Sequence, residues 1–508
     1  MQESIGKLLN RIPASKHLIR SRFTRSIWLS RGFVLWVGCL AGCTPQTKTT
    51  TDQTSTPRTD VELQLVVVDD PAMAEAIDSL RSEWKARTGA SVTVRQLSIA
   101  EATAAEAPMG PADAIIYPSY LLGHLAERDF IGPLPPSYAQ NQELAWSDTF
   151  ELLQLVETQW AQAPYAVPFG SPVLTCFYRP DLLERIHRRP PETWTQYQEL
   201  AQLLNDRKNL GDAAPPDDAP WFGAAEPLAP GWAGRVFLAR AAAYAKHRDH
   251  YSTLFNIETM EPLIAGPPFV RALEELAAAA KLGPPNAREL DPAAARREFL
   301  AGHCALALSW PGHASATPAE PTDKTPAVAF IELPGSTKVY DIVSKLWDNR
   351  DANESVRVPL LGMAGRLGSI TRQSAHAENA LQLLSWLSGQ EWAAKVSAAS
   401  PATTLYRRSQ LRTPRPWVDS NMDASAAQQY AVTVRDALNR TAYLTVPRFA
   451  GQERYLAALD QAVEQVLSAQ KSPAEALAAA AAQWSTITQE LGPDAQRKAY
   501  RKSLGLEP

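Results

Sequence analysis

The sequence has few of the residues from which metal and thiol sites are built. Four of its 508 residues are cysteines, and it contains no CxxC pair, no HExxH motif and no cluster of cysteine and histidine. Metal sites need three or four closely spaced ligands, so we expect neither a metal nor a cofactor. His303 and His313 lie ten residues apart around one short apolar run, and we interpret them as structural histidines.

Signatures of hydrolytic enzymes are also missing. The chain has no GxSxG motif and no pair of carboxylates within one motif. A nucleophilic serine or a glycosidase carboxylate pair would need one of these arrangements. The pattern therefore favours a protein that is not an enzyme and leaves an extracytoplasmic hydrolase as a weak alternative.

Beyond the N-terminus, no apolar run reaches the roughly 18 residues of a membrane-spanning helix. At the N-terminus, several arginines precede a short apolar stretch at residues 32–40, and Leu-Ala-Gly-Cys follows, ending at Cys43. This order predicts a secretory signal, and its ending resembles the bacterial lipoprotein box. The resemblance implies a lipoprotein signal peptide at residues 1–42 and lipidation of Cys43, with an uncut membrane anchor as the alternative. The threonine-rich residues 43–60 are predicted to be a flexible tether.

Positive charge is scarce once the predicted leader is set aside. The full chain has 50 Lys and Arg against 54 Asp and Glu, and residues 1–42 hold seven of the basic and one of the acidic side chains. The remaining chain has 43 basic and 53 acidic side chains, a formal charge of −10. This excess of acidic side chains argues against nucleic acid or an anionic membrane surface as the partner. The N-terminal lipid is therefore the only membrane contact expected.

Two cysteines remain after the leader and the lipidation site. Cys176 and Cys304 each lie within a separate apolar run. Export would permit a disulfide between them, but their positions favour two buried thiols.

Apolar patterns in residues 61–128 alternate between strands and helices. Residues 63–68, LQLVVV, form a continuous apolar run typical of a buried parallel strand. Helical spacing follows over residues 72–88, and ADAIIY at residues 112–117 is a further strand. The order predicts an α/β layer with right-handed crossovers. Residues 211–235, rich in Pro, Gly and Trp, are predicted to be loop-like.

Five stretches resemble one family in their order along the chain. They are DAIIYPSYLLGHLAERDFIGPL, YAVPFGSPVLTCFYRPDLLERI with PPETWTQYQELAQLL, REFLAGHCALALSWPG, ENALQLLSWLSGQEWAAKVS and SPAEALAAAAAQW. On these stretches the chain resembles the extracellular solute-binding proteins of ABC importers, in the sugar-binding group that includes maltose-binding protein. The resemblance covers about residues 61–492 and implies an α/β fold of the type II periplasmic-binding-protein kind. Such a fold has two doubly wound lobes joined by a multi-strand hinge.

The resemblance also implies how the chain is divided. Lobe 1 would comprise residues 61–170 and 330–412, lobe 2 residues 171–329 and 413–495, and a C-terminal tail residues 496–508. The chain would cross between lobes three times. The first crossing falls at PFGSP, residues 168–172, whose prolines and glycine interrupt a strand. A hinge needs such residues, because they absorb rotation without a ladder of hydrogen bonds.

A sugar site is implied as well, built from aromatic faces and planar polar groups. Trp310 ends a predicted strand before Pro-Gly and matches the position of a ligand-stacking aromatic in the family. The other candidates are Tyr117, Ser119, Tyr120, Phe169, Ser171, Trp232, Glu226, Trp347, Arg448, Tyr455 and Asp70. Packing or solvation is the alternative interpretation of these residues, and one of Asp69 and Asp70 is expected to cap the next helix. Trp347 lies on residues 336–357, a connection longer than the family norm, where it would overhang the cleft or form a partner surface.

Three functions remain open at this point. The first is a monomeric, lipid-anchored, extracytoplasmic receptor that closes two lobes around a small solute, with a sugar favoured, and delivers it to an ABC permease. The second is a sensor or scaffold lipoprotein of the same fold with no role in transport. The third is the hydrolase, which no motif supports.

Overall fold

A computed structural model of the chain describes residues 61–104, 109–312, 326–420 and 422–507. The predicted signal peptide, Cys43 and the predicted tether at residues 43–60 lie outside the described residues, as does His313. Within the described ranges, no helix combines the length and the apolar character that a membrane crossing requires.

The described chain contains both strands and helices. The strands are β1 (Glu62–Val68), β2 (Ser91–Leu97), β3 (Ala114–Pro118), β4 (Gln159–Trp160), β5 (Ala163–Pro164), β6 (Val167–Pro168), β7 (Thr175–Tyr178), β8 (Phe222–Ala225), β9 (Cys304–Ser309), β10 (Ala329–Glu332), β11 (Lys338–Asp341), β12 (Leu346–Asn349), β13 (Leu360–Leu361), β14 (Arg366–Ile370) and β15 (Leu444–Thr445). The helices are α1 (Pro71–Asp78), α2 (Arg81–Thr88), α3 (Ile99–Thr103), α4 (Leu122–Glu127), α5 (Pro180–Arg185), α6 (Trp194–Asn205), α7 (Ala233–Ala245), α8 (Pro267–Ala280), α9 (Pro292–Leu300), α10 (Ala377–Ser388), α11 (Ala393–Val396), α12 (Ala424–Leu438), α13 (Gln452–Leu467), α14 (Pro473–Leu491) and α15 (Pro493–Ser503). A π-helical turn spans Leu153–Glu157.

The first sheet has the strand order β2-β1-β3-β14-β6. β1 runs parallel to β2 and β3, with Leu65 opposite Val94 and Ala114, and β14 runs antiparallel to β3 and β6. The LQLVVV run is confirmed as a strand, and its side chains from Leu65 to Val68 are fully buried. Helices cover both faces of this sheet, which is why β1 is apolar without alternation.

The second sheet has the order β10-β7-β9-β8, with β8 parallel to β9 and the other pairs antiparallel. β8 lies within residues 211–235, which were predicted to be loop-like. Its sequence, FGAA, has no β-branched residue and is flanked by Pro, Gly and Trp, so it carries no strand signal of its own. Cys176 on β7 and Cys304 on β9 are free and buried, as predicted, and burial raises the pKa of both thiols.

The return of the chain to the first sheet comes later than residue 330, where lobe 1 was predicted to resume. β10 pairs with β7, placing Phe330 opposite Phe177 in the second sheet. The β11–β12 hairpin then packs on α7, where the Trp347 ring lies 6.2 Å from Tyr244. The chain returns to the first sheet only at β14. The reason is that β10 completes the antiparallel edge of the second sheet before the chain crosses.

Two helical regions differ from the sequence predictions. The helix predicted over residues 72–88 is divided into α1 and α2 by a break at Ser79 and Leu80. Residues 496–508, predicted as a tail, contribute most of α15. Tyr500 of α15 is buried, and its hydroxyl lies 2.8 Å from Ser252 Oγ.

The first connection between the sheets contains the PFGSP stretch. β6 ends at Pro168 in the first sheet, and β7 begins at Thr175 in the second. Gly170 has a φ of 111°, and a Cβ atom there would lie 2.4 Å from the carbonyl oxygen of Thr404. Only glycine tolerates both the backbone angle and this close approach. The connection therefore packs directly against the segment that follows α11.

Candidate functional site

Four side chains meet where the strand ends of the two sheets face each other, and we call them the aromatic cluster: Tyr120, Trp232, Arg235 and Trp310. Tyr120 follows β3 of the first sheet, Trp310 follows β9 of the second, and the other two begin α7. The Arg235 guanidinium lies 5.3 Å from the Tyr120 ring and 5.5 Å from the Trp232 ring. The rings of Trp232 and Trp310 are 5.4 Å apart at an angle of 51°. The cluster thus joins residues supplied by both sheets, at the carboxyl ends of parallel strands where ligands of α/β proteins bind.

Trp310 is held at both its backbone and its ring. Its carbonyl oxygen accepts a 2.6 Å hydrogen bond from Arg296, and its indole Nε1 donates to the carbonyl oxygen of Pro401 at 3.0 Å. Pro401 follows the helix α11, which packs beside α1 and α10 on the first sheet. The indole therefore spans the boundary between the two sheets in a fixed orientation.

Arg235 is the cation of the cluster, and the sequence interpretation missed it. Its Nη1 donates to the carbonyl oxygen of Gly231, whereas its buried Nε finds no acceptor among the described residues. Burial lowers the pKa of Arg235, and Tyr120, Asp460 and Glu453 act against that shift. The only sequence signal was its place one turn after Trp232 in APGWAGRVF, which is too weak to identify a site.

The charges of two acidic side chains act on Tyr120. Burial raises the pKa of Tyr120, the charges of Arg235 and Arg366 lower it, and those of Glu453 and Asp69 raise it. Asp69 is exposed at the end of β1 and has a φ of 54°, in the left-handed region. Aromatic faces, a guanidinium with a free donor and nearby carboxylates can together bind the C–H surfaces and hydroxyl groups of one solute.

Asp70 has a structural set of partners. It caps α1 by accepting from the Met73 amide at 3.0 Å, which confirms the predicted cap. Its other oxygen accepts from Arg366 Nε at 2.8 Å and from the Ser400 hydroxyl. Since the carboxylate is buried and fully engaged, the structure does not offer it to a ligand.

Three predicted candidates, Tyr117, Ser119 and Ser171, form buried polar hydrogen bonds. Tyr117 OH lies 2.7 Å from Ser369 Oγ, and Ser119 Oγ donates to the carbonyl oxygen of Ala364 at 2.5 Å. Ser171 Oγ donates to Glu157 Oε1, also at 2.5 Å. These bonds connect β3, β14 and the first connection between the sheets. The structure therefore places the three side chains inside the molecule and not on an open surface.

Glu157 and Arg448 complete this network. Arg448 is buried, and its Nη1 donates to the carbonyl oxygens of Glu157 at 2.9 Å and Val156 at 3.2 Å. Burial lowers the pKa of Arg448, whereas the charge of Glu157 raises it. Arg448 was predicted to contact the ligand, but its Nη1 and Nη2 donors are directed at the π-helical turn and at Ser503.

The remaining candidates lie apart from the cluster. Phe169 is buried in the core of the first sheet, and Tyr455 packs in an aromatic core with its hydroxyl 2.9 Å from Thr488 Oγ1. Glu226 forms a fully buried ion pair with Arg240 at 2.7 Å, although Glu226 was expected to be solvated if it was not a ligand contact. Trp347 contacts Tyr340 and Tyr244 on the outer hairpin. Among the described residues, no group of three or more His, Cys, Asp or Glu side chains is arranged to hold a metal.

Comparison with known proteins identifies the family. The model of the bacterial extracellular solute-binding protein family matches residues 70–394, and the chain belongs to this family. It also has the type II periplasmic-binding-protein fold, as predicted. No curated protein matches the chain at a significant level.

Solved structures show the same fold at low sequence identity. A solute-binding protein of an ABC transporter from Agrobacterium radiobacter, in complex with ribitol, is 17% identical with a TM-score of 0.61 and covers 84% of this chain and 98% of its own. The sugar-binding protein MalE from Xanthomonas citri is 18% identical with a TM-score of 0.61 and covers 85% and 98%. A counterpart from Agrobacterium vitis, with bound D-mannitol, is 17% identical with a TM-score of 0.59 and covers 85% and 99%.

Proposed function

We propose that this protein is an extracytoplasmic receptor that captures a sugar or polyol at the aromatic cluster and delivers it to the permease of an ABC importer. The main observation that supports this proposal is that the residues of the aromatic cluster come from both halves of the fold and meet near the strand ends. A solute held there contacts both lobes and stabilises their closed arrangement by its differential affinity. No covalent step is involved.

The chemistry of the cluster supports a polyhydroxylated ligand. Two indoles and a phenol provide faces for C–H groups, while Arg235 Nε, Asp69 and Glu453 provide donors and acceptors for hydroxyls. The related structures with ribitol, D-mannitol and maltose support the same class.

A lipid anchor is the second part of the proposal. Cys43 follows Leu-Ala-Gly, and the chain from residue 43 to 60 is polar and threonine-rich. Lipidation at Cys43 would hold the receptor at the outer side of a bacterial membrane, within reach of a permease. Cys43→Ser should move the protein from the membrane fraction to the soluble fraction, and retention of the variant in the membrane fraction would contradict the anchor.

Ligand binding is tested on the purified protein by tryptophan fluorescence and melting temperature with ribitol, mannitol, maltose and tagatose. Ligand at 100 times its Kd stabilises the native state by about 2.7 kcal/mol. Trp310→Ala should weaken binding by at least about 2 kcal/mol, roughly 30-fold in Kd. Trp347→Ala is the control, since this tryptophan lies on the outer hairpin. Failure of every sugar and polyol to bind the folded protein, or equal binding by Trp310→Ala, would overturn the proposal.

A further inference from the structure

The start of α7 is fixed by a carboxylate from a different helix. Asp460 of α13 accepts the amide of Gly234 on Oδ1 at 2.7 Å and the amide of Gly231 on Oδ2 at 2.8 Å. Trp232 is the N-cap residue of α7, and its side chain provides no capping hydrogen bond. The first amides of a helix have no intrahelical acceptor, so Asp460 takes the place of a capping side chain.

The packing of α7 on α13 allows this contact. A Cβ atom on Gly234 would lie 2.8 Å from Leu459 Cβ and 3.1 Å from the Asp460 amide nitrogen. Because Gly234 has no side chain, the first turn of α7 approaches α13 closely enough for both oxygens of Asp460 to be used.

The two anchored amides lie next to the two cluster residues at the start of α7. Trp232 lies between Gly231 and Gly234, and Arg235 follows directly. Arg235 also donates to the carbonyl oxygen of Gly231, so its guanidinium depends on the same anchored turn. A change in this turn would therefore affect both Trp232, which contacts Trp310, and Arg235, which contacts Tyr120.

We propose that Asp460 is a positioning residue of the binding site: by holding the amides of Gly231 and Gly234 it sets the orientations of Trp232 and Arg235. The role of the site as a solute site rests on the proposed function, whereas the positioning of Trp232 does not. Asp460→Asn keeps the size of the side chain but replaces one acceptor oxygen with an NH₂ group, which opposes an amide donor.

The test uses the full chain labelled with fluorotryptophan and observed by ¹⁹F NMR without ligand. The resonance of Trp232 is assigned by its loss in Trp232→Phe. Asp460→Asn should shift this resonance and leave those of Trp84 and Trp386, which pack together on the first sheet, unmoved. Asp460→Glu keeps both acceptor oxygens and should shift it less. An unmoved Trp232 resonance, even with a lower melting temperature, would overturn the proposal.

The matched control is Glu464→Gln on the same helix. Glu464 pairs with Arg288 at 2.7 Å on the surface, with both side chains about half exposed. This variant should leave the Trp232 resonance and the ligand affinity of the wild type unchanged. Asp460→Asn should weaken the binding of whichever sugar or polyol the wild type binds by about tenfold. A wild type that binds none of them refutes the proposed function, while the Trp232 resonance still decides the positioning role.

Discussion

Ser171 Oγ donates a 2.5 Å hydrogen bond to Glu157, and it ties the first connection between the sheets to a fully buried carboxyl group. Burial raises the pKa of Glu157, while Ser171, Ser119 and the charge of Arg448 lower it, and the net shift is upward. The folded chain therefore keeps this proton to a higher pH than the unfolded chain, where the ordinary pKa is about 4.3. Between the two values the folded state binds more protons, so the free energy of unfolding falls as pH rises.

Glu157→Gln should remove this decrease of the unfolding free energy with rising pH, because an amide does not titrate. Urea unfolding between about pH 4 and 7 should show the wild type losing stability relative to the variant, by about 1.4 kcal/mol for each unit of pKa difference. Glu199→Gln, on the exposed face of α6, is the control and should follow the wild type. Parallel stability curves for wild type and Glu157→Gln would show that the buried carboxyl does not titrate differently in the two states.

Breaking the pair between Asp70 and Arg366 should be strongly destabilising. Asp70→Asn leaves the buried Arg366 without a carboxylate partner, and such changes typically cost about 3–5 kcal/mol. The measurement is the free energy of unfolding in urea. Asp78→Asn breaks a pair with Arg81 that is about half exposed, and it should cost less than about 1 kcal/mol. Equal losses of unfolding free energy in the two variants would show that burial does not make the pair between Asp70 and Arg366 more important than the exposed pair.

Gly170→Ala should destabilise the protein more than its backbone angle alone predicts. A positive φ at a non-glycine residue costs about 1–3 kcal/mol, and the new methyl group would also meet the Thr404 carbonyl oxygen. Gly302→Ala separates these effects, since Gly302 has a φ of 78° and no atom within 4 Å of a new Cβ. In thermal unfolding, the melting temperature of Gly170→Ala should be lower than that of Gly302→Ala. The reverse order would mean that the connection between the sheets accommodates the methyl group.

The sequence predicted the fold where local patterns are strong. LQLVVV became β1, and the broken strand start at PFGSP lies between β6 and β7. β8 and α7 were missed because FGAA has no strand propensity and because α7 is buried almost all round, so its pattern has little amphipathic contrast. Patterns along the chain report local preferences and carry no information about which segments pair.

The candidate site was predicted less completely for the same reason. Tyr120 and Trp310 were identified as aromatics near strand ends and Trp232 as an aromatic in a Pro/Gly loop, and the three belong to one cluster in the structure. Arg235 and Asp460 act through contacts between α7, β3 and α13, which no spacing in the sequence encodes. Tyr117, Ser119 and Ser171 were predicted as ligand groups because polar side chains near a strand end fit a ligand site, and the sequence does not show that their hydrogen-bond partners are Ser369, Ala364 and Glu157.

The helix α15 adds a link between the two halves of the molecule that is not part of the main-chain crossings. Toward the first sheet it has an ion pair from Lys502 to Glu127 at 3.0 Å and a hydrogen bond from Gln162 to the carbonyl oxygen of Gly505. Toward the second it buries Tyr500 against Phe255, with ring centroids 5.2 Å apart. Apolar burial stabilises the second contact, whereas the ion pair in the first contact joins partly exposed charges that salt screens. Raising the ionic strength should therefore weaken the ion pair that α15 forms toward the first sheet more than the apolar contact that it forms toward the second.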